Sequence, residues 1–134
     1  MTDDQQTTST TDDQQTPKTT AGERIWREVA SWPGVTVAPH RFGGVEFLLG
    51  RRELGHLHGG HLADLPFPRP VRDELVREGR AQAHHILPDT GWVSYPIRDE
   101  EGIRGALDLF RLAYDRAVAQ RGLPADRGET RDAE

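Results

Sequence analysis

Apolar positions recur with helical spacing in three stretches of the chain. The strongest is Ile103, Ala106, Leu107, Phe110, Tyr114 and Ala117, one face of a long helix. The acidic run "DEE" at 99–101 opens it, where negative charge meets the positive end of the helix dipole. Near the front, "GERIWREVASW" puts Ile25, Trp26, Val29 and Ala30 on one face, and "PG" at 33–34 ends that helix. Between them "PRPVRDELVREG" predicts a helix of about three turns, with Pro70 in its first turn and Gly79 past its end.

The remaining apolar segments alternate with period two or are too short for helices. "VTVAPHRF" and "VEFLLG" read as strands joined by a tight turn at Gly43 and Gly44, with Val45, Phe47 and Leu49 alternating toward a core. "ELGHLH" continues as a third strand, "HLADLPF" as a fourth strand or a loop, "RAQAHHIL" as a return strand. After the turn "PDTG" comes "WVSYPI", one more strand. This order predicts an α+β fold: a curved antiparallel sheet of about five to six strands with helices packed on one side.

Composition sets the limits of this domain. From Thr2 to Thr20 only Pro17 interrupts a polar tract in which "TDDQQT" occurs twice, at 2–7 and 11–16. Residues 1–21 are therefore expected to be a disordered tail, 22–121 a single domain and 122–134 a flexible tail. The formal net charge of −5 belongs to those tails, because residues 22–121 hold 14 acidic and 14 basic side chains. A neutral domain lacks the basic surface that nucleic-acid binding needs. No apolar run approaches the roughly 20 residues of a spanning helix, and the polar start does not read as a signal peptide. A cytoplasmic protein without membrane contact is the expectation; the oligomeric state is left open.

Several chemistries are excluded by absence. There is no cysteine, so no disulfide and no thiolate nucleophile or ligand. The one lysine, Lys18, lies in the expected tail. Histidine, carboxylate, arginine and aromatic chemistry remain, and three of the six histidines crowd into "RRELGHLHGGHLADLPF" at 51–67. On a strand His56 and His58 share a face with Leu54, while Glu53 takes the other face unless a bulge intervenes. His61 follows two glycines. His84 and His85 must face opposite ways, so only one can join the group. Asp64 could orient an imidazole from the rim of such a site. His56, His58 and His61 could ligate a divalent transition metal, with or without a carboxylate. The same groups could form a metal-free acid–base site, or a polar turn with satisfied histidines. His40 is expected to stand apart, Arg72 and Arg77 to form a solvated helix face.

The segment "RELGHLHGGHLADL…DELVREGRAQAHHILPDTGWVSYPIRDEEG" resembles the luciferase-domain family. That family's pattern is an acidic residue before a His-x-His pair, a helix ending in glycine, a histidine a few residues on, then a turn, a tryptophan strand and an acid-opened helix. Glu53, His56, His58, Gly79, His84, Trp92 and the "DEE" at 99–101 occupy those positions. The sequence departs from that family's fungal member near Asp64, where that member has a histidine, and the membrane segment of that member is not expected here. The resemblance implies a small-molecule pocket with His56, His58 and His84 as catalytic groups and Trp92 and Glu53 as ligand contacts; Asp64 joins the expected catalytic groups and His61 the expected ligand contacts from their place in the same stretch. It also implies oxygen addition to an enolic or aromatic substrate with no cofactor. Light emission is not implied.

Overall fold

The computed structural model describes residues 20–39, 44–84, 86–87 and 89–123. The chain runs α1 (Ala21–Ala30), β1 (Val35–Pro39), β2 (Val45–Leu49), β3 (Arg52–His58), β4 (Leu62–Pro66), α2 (Arg69–Arg77), β5 (Gln82–Ala83), β6 (Trp92–Pro96) and α3 (Glu100–Arg121). The strands form one open sheet in the order β1-β2-β3-β4-β6-β5, and every neighbouring pair is antiparallel. The fold is α+β. "HLADLPF" supplies a full fourth strand, whereas the expected return strand shrinks to Gln82–Ala83. His40, the Gly43 half of the expected β1–β2 turn and His85 lie outside the described residues, as does most of each expected tail.

Both terminal helices start on side-chain caps. Thr20 and Glu23 form a reciprocal capping box at α1, so the end of the expected 1–21 tail belongs to the helix start. Asp99 accepts the Gly102 amide at 2.8 Å and opens α3 where the acidic run predicted. The two helices pack together, and α3 lies across β3 and β4. Its buried stripe is Gly102, Ile103, Ala106, Leu109, Phe110, Ala113, Tyr114 and Ala117. Leu107 sits at the margin of that stripe, only partly buried. Phe110 meets Phe47 edge-on at 5.2 Å between ring centroids. Tyr114 packs on Trp32 and donates its hydroxyl hydrogen to Pro33 O at 2.7 Å, tying α3 to the turn after α1. Trp26 departs from the expected core face: it is 43% exposed, while Ile25 and Val29 are fully buried. Arg72 also departs from a solvated face, since its side chain is only 15% exposed.

The helix-facing side of the sheet is apolar. Phe47 pairs with Gly55, Leu57 with Ala63 and Leu65 with Val93, and all of these are buried. Period-two alternation turns the intervening residues to the opposite face. Those residues form the candidate site.

Candidate functional site

Four strands place the site. His56 and His58 alternate with Leu57 along β3. Across the ladder His56 stands opposite Asp64, and Asp64 opposite Ser94. Trp92 precedes Ser94 by two residues on β6, and the His84 amide donates to Trp92 O, so both join the same face. The structure thus gathers His56, His58, Asp64, His84, Trp92 and Ser94 around one point.

Asp64 is that point. The expectation placed it at the rim, but it is 1% exposed. The reason is its place: β4 is a full central strand, and three imidazoles and Ser94 close around its middle residue. Ser94 Oγ donates to Asp64 Oδ1 at 2.7 Å. Three imidazole Nε2 atoms surround Oδ2: His58 at 2.9 Å, His84 at 3.4 Å and His56 at 3.5 Å. The His56 and His58 rings meet edge to face, with centroids 4.8 Å apart. Trp92 packs against His56 at 5.4 Å and His84 at 6.1 Å.

Glu53 reaches the same face through a bulge. Phe47 pairs with Gly55 and the next residue, Leu48, pairs with Glu53, so Leu54 is an extra residue in β3. One extra residue reverses the facing of everything beyond it. Glu53 therefore turns toward the histidines, and His56 Nδ1–H donates to Glu53 Oε2 at 2.8 Å.

The hydrogen bonds assign proton positions. His84 Nδ1 accepts the backbone N–H groups of Ile86 and Leu87, each at 3.1 Å. A nitrogen that accepts cannot carry a proton, so neutral His84 holds its proton on Nε2, facing Asp64. His58 likewise points Nε2–H at the carboxylate, which leaves the lone pair of the neutral ring on Nδ1. Burial disfavours charge on His56, but hydrogen bonds to Asp64 and Glu53 and their negative field outweigh it and raise its pKa to about 9. Burial also opposes charge on Asp64. Hydrogen bonds with His56, Ser94 and His58, and the nearby His84, hold its carboxyl well below the usual carboxylate range.

Not every expected residue joins. His61 is exposed in the β3–β4 turn with its ring beside Gly59, and among the described residues it is not part of the group around Asp64. In place of the expected His56–His58–His61 set, it is the ligand atoms of His56, His58 and Asp64 that all lie within 4.8 Å of one another. Ser94 stands in no catalytic motif of the sequence. The period-two spacing from Trp92 to Ser94 was the signal that could have found it.

The chain matches no curated protein and no solved structure. Residues 51–113, from the start of β3 into α3, match the family model described as Luciferase domain. Every residue of the cluster lies within that segment. By that match residues 51–113 are similar to the Luciferase domain.

Proposed function

We propose that the open face of the sheet is a small-molecule site that moves a proton, with His58 as the base. One observation carries this reading: three imidazoles and a serine converge on a single buried carboxylate. A buried ionised carboxylate is costly unless its oxygens are satisfied, and here every partner can donate. Asp64 orients His58 through Nε2–H and stabilises the imidazolium that forms when Nδ1 takes a proton. His56, held protonated between Glu53 and Asp64, supplies positive charge beside the anion that proton loss creates. His58 is the most exposed of the three imidazoles, with 27% of its side chain accessible.

The similarity of residues 51–113 to the Luciferase domain supports a substrate class. An enolic or hydroxylated aromatic compound loses a proton to give an enolate, which is electron-rich enough to react with molecular oxygen. His56, His58, His84 and Asp64 would act on that compound, with Trp92 and Glu53 lining its place. No step of this proton transfer calls for a cofactor. The competing reading is a binding domain that holds such a compound without turning it over.

The test uses tag-free protein and a panel of hydroxylated 2-pyrones and related enols, with binding followed by NMR and oxygen uptake by electrode. Binding with oxygen consumption supports the enzyme; binding alone supports the binding domain. His58→Ala should abolish turnover while the protein stays folded. A His58→Ala protein that consumes oxygen like the parent would end the proposal.

A further inference from the structure

The geometry points to a second occupant of the same cluster: a single divalent transition-metal ion held by His56, His58 and Asp64, with His84 outside its ligand set. This goes beyond the proton-transfer reading and does not depend on it.

Distance is the first argument. Ligand atoms bound to zinc at 2.0–2.1 Å in a tetrahedron stand roughly 3.3 Å apart. His56 Nε2 lies 3.5 Å from Asp64 Oδ2, and His58 Nε2 lies 2.9 Å from it. All three ligand atoms fall within 4.8 Å of one another. Small side-chain adjustments would open room for one ion, on elements that are central strands and not mobile loops.

Outer partners supply the second argument. A metal-binding histidine commonly donates its other ring N–H to a carboxylate, which fixes its tautomer and makes the ligating nitrogen more basic. Glu53 does this for His56, at 2.8 Å on Nδ1. The Leu54 bulge is what brings Glu53 there. Asp64 is steadied in the same way by Ser94 on its other oxygen.

The third argument concerns His84, which a distance criterion alone would include. Its Nδ1 accepts the Ile86 and Leu87 amides. With Nδ1 unprotonated, Nε2 must keep its hydrogen in the neutral ring and has no lone pair for a metal. His84 therefore donates to Asp64 or to a ligand of the ion, such as a bound water, and does not bind the ion. Two imidazoles and one carboxylate with a position left over is the donor set of an open site. Metal binding must displace the protons that His58 Nε2 and His56 Nε2 direct at Asp64, so the ion and these protons exclude each other. An ion seated here would hold the base out of action.

Zinc ion titrated calorimetrically into tag-free protein, with no organic compound present, tests this directly. One ion per chain is expected. His58→Ala and His56→Ala should each weaken binding at least tenfold, and Glu53→Gln about tenfold as an outer partner. His61→Ala should stay within about threefold of the parent, and His84→Ala, an outer partner like Glu53, should fall short of the His58→Ala loss. Circular dichroism on each variant separates lost binding from lost fold, and Glu53→Gln serves should a histidine variant unfold. No binding, equal binding in all variants, or a loss in His84→Ala as large as in His58→Ala overturns the assignment. Failure here leaves the proton-transfer reading standing, because that reading is judged on organic ligands and oxygen uptake.

Discussion

Asp64 sets the electrostatics of its neighbours, and its effect can be read against pH. Folding raises the His56 pKa from 6.5 to about 9, so the folded chain holds that proton more tightly than the unfolded chain. The resulting stabilisation is complete below about pH 6.5 and is lost as pH rises through about 9. Asp64 runs the other way: its pKa is depressed, so its contribution is present above the unfolded value of 3.8 and disappears as pH falls below it. Stability should therefore be highest between about pH 4 and 6.5. The melting temperature should fall between pH 6.5 and 9.5, and His56→Gln should flatten that slope. Ser94→Ala should cost about 1.5–3 kcal/mol, the worth of a hydrogen bond to a charged group, read by denaturant unfolding. At this scale the sequence revealed the histidines but not their hub. Asp64 is expected at the rim while "HLADLPF" reads as either a strand or a loop. Only the β4–β6 pairing opposite Ser94 buries it.

Among the elements, β3 shows how one residue decides a site. Plain alternation from His56 sends Glu53 to the helix side, where a carboxylate would face the core. The extra Leu54 restores it to the histidine face, and Leu54 itself is buried, 1% exposed. Gly55 makes the bulge possible. A Cβ there would lie 2.8 Å from Asp64 O and Leu65 Cγ and 2.9 Å from a Phe110 ring carbon, at a backbone φ of 155°. Gly55→Ala should thus destabilise the fold by about 2–4 kcal/mol, combining overpacking with an awkward backbone. It should also weaken the Glu53–His56 contact, visible as a changed His56 ring signal in NMR. A cost below about 0.5 kcal/mol would show that the bulge has slack the close contacts deny. The shortness of β5 has a similar local origin. The His84 ring bonds the Ile86 and Leu87 amides, which then cannot continue a strand ladder. Side-chain capture of backbone donors leaves no trace in hydrophobic periodicity, so "RAQAHHIL" read as a longer strand than it is.

For the whole molecule the sheet is a partition. One face meets α1 and α3 and carries the core; the other carries the imidazoles, the carboxylates and Trp92. Periodicity made the architecture legible because each helix had one apolar stripe and most strands alternated. It could not supply the strand order, and that order is what sets β4 between β3 and β6 and lets residues 56, 64 and 94 meet. The charged link from Arg24 to Glu100 between the two helices is exposed on both sides and contributes little beside the core it spans. The partition makes the two faces separable by mutation. Phe110, fully buried against Phe47, should cost about 3–5 kcal/mol when changed to alanine, lowering the melting temperature sharply. His58→Ala, on the other face and partly exposed, should keep a cooperative transition while removing the group that holds Asp64 at 2.9 Å. Thermal unfolding of both variants checks this. If His58→Ala loses as much stability as Phe110→Ala, the histidine face is a second core, and the cluster is there to hold the sheet together.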